Sequence, residues 1–136
     1  MSRDPEHRET FAAEMAARLG IAVTAVAAPE EAAQADVVVT ITNAQQPVLK
    51  GEWLRPGAHV NAAGGNSLIR GEVDAETVRR AAIVTADSVE DAKLESADLM
   101  RAVEIAKKQE KAKTKPLLNV PDEAIVRALA VAKEAI

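Results

Sequence analysis

The feature that most constrains the fold is a short, nearly uninterrupted apolar run. Residues 37–41 read Val-Val-Val-Thr-Ile, so four of the five side chains are β-branched hydrocarbons. Branched side chains favour strands, and a strand without polar alternation is typical of a parallel sheet covered by helices on both faces. The run therefore predicts a central strand of an α/β protein.

Helical and strand-like segments alternate around this run. Pro5 and Gly20 are typical of the start and the end of a helix, and Asp74 is a good N-cap for another helix that ends near Arg80. The predicted helices cover residues 5–19, 29–34 and 75–80, and the other predicted strands cover residues 21–27, 58–62 and 81–86. This alternation predicts a mostly parallel sheet with helices on both faces.

The C-terminal part of the chain has a helical pattern. From Ser88 the apolar spacing predicts one helix that continues to about Lys113. Residues 117–120 fit either a short edge strand or an extended linker, and Pro121 begins a final helix. These apolar faces need cover, either from the rest of the chain or from a second copy.

Composition excludes several classes of protein. The chain has no cysteine and two histidines, so neither disulfides nor a metal site is expected. Phe11 and Trp53 are its only aromatic residues and the net charge is -4, which argues against nucleic-acid binding. Because no apolar run approaches membrane-spanning length, we expect no membrane insertion and a cytoplasmic location.

Residues 47–62 carry an idiosyncratic sequence, Pro-Val-Leu-Lys-Gly-Glu-Trp-Leu-Arg-Pro-Gly-Ala-His-Val-Asn-Ala. With Gly-Gly-Asn-Ser at residues 64–67 and Glu-Val-Asp at residues 72–74, it resembles the second part of the NAD(P)-binding domain in the ornithine cyclodeaminase and mu-crystallin family. The resemblance covers roughly residues 2–98, and we find no match for residues 99–136.

The resemblance implies a Rossmann-like fold that is incomplete. The first strand-helix unit, whose glycine-rich turn receives the pyrophosphate, is absent from the sequence. Residues 1–98 would be a partial nucleotide-binding domain, and residues 99–136 a helical tail that completes the fold or mediates self-association. Because an uncovered sheet edge invites pairing, we expect a homo-oligomer.

The resemblance also implies a cofactor, NAD or NADP, with weak or no binding by this chain alone. A guanidinium at the chain start would meet the ribose or its 2'-phosphate, and polar groups at the end of the central strand would face the dinucleotide. A backbone stretch of the next strand would lie beside the nicotinamide. The implied cofactor-binding residues are Ser2, Arg3, Thr40, Thr42, Asn43, Val60 and Asn61.

Asn66 stands where the cyclodeaminases of the family place a catalytic aspartate. An amide cannot exchange protons in that role, so no catalytic residue is assigned. A parent enzyme of the imine or ketimine reductase or amino-acid dehydrogenase type is therefore favoured over a cyclodeaminase.

Three functional hypotheses remain open. The favoured one is a truncated or recombined remnant, natural or engineered, with a structural or oligomerisation role and without autonomous catalysis. The second is a partial domain that binds NAD(P) weakly or only when complemented, and the third is a working oxidoreductase component. Whether the chain alone is an enzyme stays undecided at this point.

Overall fold

The computed structural model of the protein describes the backbone of residues 4–111 and the side chains of residues 4–109. Ser2 and Arg3, the possible strand over residues 117–120 and the predicted final helix lie outside the described residues. The elements in chain order are α1 (Pro5–Leu19), α2 (Pro29–Ala32), β1 (Val37–Thr40), a 3₁₀ helix (Gly51–Trp53), β2 (His59–Ala62), α3 (Ala75–Arg80), α4 (Val89–Glu95) and α5 (Ala97–Lys111).

The two strands form a parallel pair. Val37 is the register partner of His59, and Thr40 is the partner of Ala62. Helices precede and follow the strands in the chain and a 3₁₀ helix lies between them, so the predicted α/β class is confirmed.

Local signals place the helix ends where the sequence predicts them for α1 and α3. Asp4 accepts a hydrogen bond from the Glu6 backbone N–H at 2.9 Å, and Gly20 ends α1 with a φ of 67°. Asp74 caps α3 by accepting from the Thr77 N–H at 2.8 Å. Such caps satisfy helix-end groups from nearby side chains, which is why sequence alone predicts them.

The strands predicted over residues 21–27 and 81–86 do not form. A strand exists through its ladder, and within residues 4–111 neither segment has a hydrogen-bonded neighbour strand. Ile21 and Ile83 are 57% and 74% exposed, so these segments leave large apolar side chains outside the core. The β-branched pattern was therefore not sufficient to predict pairing.

The prediction of a central β1 covered on both faces is also wrong within the described residues. Val38 and Thr40 are buried, whereas Val37 and Val39 are 58% and 60% exposed. Among the described residues, β1 has a strand neighbour on one side, β2. The apolar run correctly indicates a strand, but the cover of its second face is not supplied by residues 4–109.

The single long helix predicted from Ser88 is two helices. α4 ends at Ser96, whose φ of -86° and ψ of 97° leave the helical region. The Ser96 hydroxyl then accepts a hydrogen bond from the Leu99 N–H at 3.3 Å, as an N-cap of α5 does. The apolar period runs across this break and therefore conceals it.

The core is small and aliphatic. Val38 of β1 and its register partner Val60 of β2 both contact it, so it lies on one face of the sheet. α3 packs against α5 and against the 3₁₀ helix. These helices cover the side of the core that faces away from the sheet. The buried cluster consists of Ala33, Val38, Leu49, Val73, Val78 and Ala102.

The distinctive Gly-Glu-Trp-Leu segment is attached to this core by polar contacts. Asp74 accepts from the Gly51 N–H at 2.9 Å, and Gln34 donates to the Trp53 carbonyl at 2.7 Å. Arg80 donates to the carbonyls of Gly51 and Leu54. These contacts connect the ends of α2 and α3 and give the segment a structural role.

Candidate functional site

The carboxyl ends of β1 and β2 lie side by side because the strands are parallel and in register. The last ladder contact is the hydrogen bond from the Ala63 N–H to the Thr40 carbonyl at 2.8 Å. We call residues 40–43 and 61–66 together the strand-end edge. In open parallel α/β sheets, ligands bind at this end of the strands.

One buried carboxylate connects the two sides of the strand-end edge. Glu72 is completely buried, and its Oε2 accepts from the Thr40 hydroxyl at 3.0 Å and from the Gly64 N–H at 2.6 Å. Its Oε1 accepts from the Thr42 N–H at 2.5 Å. Both strand ends are therefore attached to the same side chain.

The backbone around Glu72 is fixed independently. Its carbonyl accepts from the N–H groups of Val48 and Leu49 at 2.8 and 3.0 Å, and Leu49 forms a parallel bridge with Val73. The segment that follows β1 thus forms a second, single-bridge parallel contact. Glu72 is presented from this contact toward the strand ends.

Gly64 allows the close approach of the two strand ends. A Cβ atom at this position would lie 2.3 Å from the Thr42 carbonyl oxygen and 2.7 Å from the Glu72 Oε1. Because backbone cannot yield at such distances, only glycine fits. The Gly-Gly pair of the sequence therefore has a steric role in shaping this edge.

Three of the implied cofactor residues come from the end of β1 and differ in accessibility. Thr40 is buried, and its hydroxyl is bonded to Glu72, which places it in the support of the edge. The Thr42 hydroxyl oxygen accepts from the Ala44 N–H at 3.2 Å, and this residue is half-buried. Asn43 is exposed at the surface.

The two implied residues of β2 also differ. The Val60 side chain packs against the core, so only its backbone faces the sheet edge. Asn61 is exposed, and its Oδ1 lies 3.0 Å from the His59 Nε2. The structure thus brings Thr42, Asn43 and Asn61 to neighbouring strand ends, as the parallel register requires.

Asn66 follows the Gly64 turn and is exposed. Its Oδ1 accepts from the Arg70 guanidinium at 3.2 Å, and its N–H donates to the Gly64 carbonyl at 3.1 Å. The side chain is therefore held as an acceptor next to a cation. An amide in this arrangement does not transfer protons.

A second buried acid lies behind the edge. Asp98, at the start of α5, is 6% exposed and accepts from the Val73 N–H at 3.2 Å. Burial raises the pKa of Asp98 above its usual 3.8, an effect only partly offset by the backbone N–H groups of Glu72 and Val73. The Asp98 Oδ2 would lie 3.2 Å from a Cβ at Gly65, so Asp98 packs closely against the glycine turn.

Sequence reasoning did not identify Glu72 or Asp98 as site residues. The Glu-Val-Asp triplet contributed only to the order of segments in the family resemblance. Charged residues are normally exposed. Only the three-dimensional structure shows that Glu72 and Asp98 are instead buried, with hydrogen-bond donors around their carboxylates. The Gly-Gly pair that begins at Gly64 is the sequence signal that could have indicated a close approach between two backbone segments.

Other kinds of site are not found in the described part of the chain. Among those residues, no group of three or more histidine and carboxylate side chains could hold a metal ion. No helix there has both the length and the apolar character needed to cross a bilayer.

Known proteins resemble this chain in sequence. The family described as ornithine cyclodeaminase/mu-crystallin matches residues 1–132. The ketimine reductase mu-crystallin of Rattus norvegicus is 35% identical over 99 residues, covering 73% of this chain and 30% of that protein. The alanine dehydrogenase of Archaeoglobus fulgidus is 44% identical over 64 residues, covering 47% of this chain and 20% of the enzyme.

Solved structures resemble it as well. Thermococcus litoralis Δ1-pyrroline-2-carboxylate reductase, in complex with NADH and L-proline, matches with a TM-score of 0.67 at 35% identity. The match covers 74% of this chain and 31% of the reductase chain. The iminosuccinate reductase of Paracoccus denitrificans in complex with NAD⁺ has a TM-score of 0.64 at 30% identity, with 84% and 34% covered.

The chain spans less than a third of the length of the curated relatives it matches. The family match continues to residue 132, which corrects the expectation that residues 99–136 have no match in the family. With the match over residues 1–132 and the fold of its solved relatives, the chain belongs to the ornithine cyclodeaminase/mu-crystallin family.

Proposed function

We propose that this chain forms part of an NAD(P)-binding domain and that the strand-end edge takes the dinucleotide. The observation that carries the proposal is the joint attachment of Thr40, Thr42 and Gly64 to the Glu72 carboxylate. It holds two strand ends at the position where α/β sheets bind ligands. Relatives of similar fold were solved with NADH or NAD⁺, which supports the same class of ligand here.

The groups presented at this edge suit an uncharged part of the cofactor. Asn43 and Asn61 are exposed amides, and both can donate and accept hydrogen bonds to a carboxamide or a ribose hydroxyl. Gly64 lets the end of β2 lie close to the Thr42 backbone, which keeps the two amide-bearing strand ends together. The residues present therefore fit a dinucleotide, and Val60 and Asn61 would contribute as the strand beside it.

The reaction class we propose is reduction of an imine or ketimine, or amino-acid dehydrogenation, in a protein of which this chain is a component. When bound, the cofactor supplies the hydride chemistry. The residues of this chain bind and orient it. Asn66, bonded to Arg70, offers no proton-transferring group, so cyclodeamination is not proposed.

Titration of the full chain with NADH and with NADPH, followed by nicotinamide fluorescence, tests the proposal. We expect weak but saturable binding below millimolar concentrations. Asn61→Ala should weaken it about fivefold, the usual loss for one hydrogen bond, whereas Thr10→Ala on exposed α1 should leave it unchanged. Absence of binding up to millimolar cofactor would contradict the proposal.

A second candidate role is structural, through self-association. The outward face of β1 is apolar and exposed: Val37 and Val39 are 58% and 60% exposed, and Ile41 beyond them is 76% exposed. An archaeal alanine dehydrogenase of the same fold was solved as a dimer with bound NAD. We propose that a second copy of the chain covers this face. The cytoplasmic location of the protein stays a prediction.

A further inference from the structure

Glu72 has an unusual environment for a fully buried acid. A carboxylate is an acceptor only, and burying it is costly unless donors replace its water. Within residues 4–109, the hydrogen bonds that the structure gives it come from two backbone N–H groups and one hydroxyl. These donors belong to both sides of the strand-end edge, so the carboxylate is stabilised only when that edge is correctly assembled.

The position of these donors explains what Glu72 does to the sheet. The ladder between the strands ends at the bond from Ala63 to Thr40. Beyond this bond, the N–H groups of Thr42 on one strand end and of Gly64 on the other both donate to Glu72. The carboxylate therefore joins the two strands just beyond their last ladder pair and holds the Thr42 and Gly64 backbones close together.

We infer that Glu72 is a positioning residue for the dinucleotide, an inference that rests on the proposed function. It is completely buried, so it acts on the ligand through the Thr42 and Gly64 backbone. Binding groups need their geometry fixed to within about 0.5 Å by the residues behind them. Glu72 supplies that support for Asn43 on one side and for Asn61 to Asn66 on the other.

The variant Glu72→Gln separates positioning from simple space filling. It has nearly the same size, but one oxygen becomes an NH₂ group, which only donates. With the amide nitrogen at the Oε1 position it would face the Thr42 N–H, and at the Oε2 position the Gly64 N–H. Either orientation places donor against donor and moves one strand end.

The experiment compares this variant with Val78→Ala, a core truncation in α3 that leaves the strand-end edge intact. Affinity for NADPH is measured on the full chain, under conditions where both variants are folded. We expect a rise of about tenfold in Kd for Glu72→Gln and less than about twofold for Val78→Ala. Without ligand, the amide proton resonances of Thr42 and Gly64 should move upfield in Glu72→Gln only.

A second pair of variants serves if Glu72→Gln does not fold. Thr40→Val removes the hydroxyl that donates to Oε2, and Thr40→Ser retains it. We expect weaker NADPH binding in Thr40→Val and wild-type affinity in Thr40→Ser. Equal affinities in this pair, or unchanged affinity in a folded Glu72→Gln, would overturn the inference while leaving the proposed function intact. Absence of NADPH binding by the wild-type chain would overturn the proposed function itself, and the inference with it.

Discussion

At the scale of single residues, the strand-end edge is held in place by acidic side chains that are buried behind it. Glu72 and Asp98 are charged residues inside the protein, and nothing in their immediate sequence distinguishes them from exposed acids. Asn43 and Asn61 were predictable because strand-end polar residues in a parallel sheet meet at one edge. The exposed strand-end amides were thus easier to predict than the buried acids behind them.

Substituting Asp98 should change how stability depends on pH. Burial raises its folded-state pKa above 3.8, so the protonated acid favours the folded state, and that contribution is lost as pH rises through the raised value. Asp98→Asn removes this titration. We expect the stability of Asp98→Asn relative to wild type to increase as pH rises from about 4 through the raised pKa. Urea unfolding across that range measures it, and a pH-independent difference would refute this assignment.

Gly51 should not tolerate a side chain. Its Cβ would lie 2.5 Å from the Thr77 N and 2.6 Å from the Glu76 carbonyl carbon, both backbone atoms of α3. Gly51→Ala should therefore lower the free energy of unfolding by about 2–3 kcal/mol. The neighbouring Glu52→Ala, at an exposed position, is the control and should change it by less than about 0.5 kcal/mol. Equal unfolding temperatures for the two variants would show that Gly51 is not in tight contact with α3.

At the scale of elements, local signals were predictive and pairing was not. The caps of α1 and α3 and the strand β1 follow from short-range chemistry that the sequence contains. The extended segments over residues 21–27 and 81–86 have strand-like composition but lack partners within residues 4–111. A strand is a property of two segments, so composition of one segment cannot establish it.

The break between α4 and α5 tests how one side chain divides a helical pattern. The Ser96 hydroxyl accepts from the Leu99 N–H, so Ser96→Ala should cost about 1 kcal/mol of stability. Ser96→Thr preserves the hydroxyl and should cost only a few tenths of that amount. Equal losses in chemical denaturation would mean that the cap does not stabilise α5.

At the scale of the whole molecule, the described residues leave apolar surface on the side of the sheet away from the core. Val37, Val39 and Ile41 all lie more than half exposed there. Exposed apolar side chains grouped in this way are typical of interaction sites, which supports the proposed self-association. The strand itself was predictable from its composition, but the environment of its second face was not, because that depends on contacts outside the segment.

If a second copy covers this face, a charge placed there should prevent association. We expect the wild-type chain to sediment as a dimer or larger species, and Val39→Lys to sediment as a monomer because burying an unpaired ammonium is costly. Thr24→Lys, at an exposed position outside the sheet, is the matched control and should remain associated. A monomeric wild-type chain at high micromolar concentration would reject this interface.

The most direct test of dinucleotide binding is to map the ligand on the molecule. The backbone amides of the full chain, labelled with ¹⁵N, are followed by NMR during titration with NADH. We expect saturable shifts that are largest at Thr42, Asn43 and residues 61–66, with little change in α1. Shifts confined to other elements, or none up to millimolar NADH, would contradict the assignment of the strand-end edge as the nucleotide site.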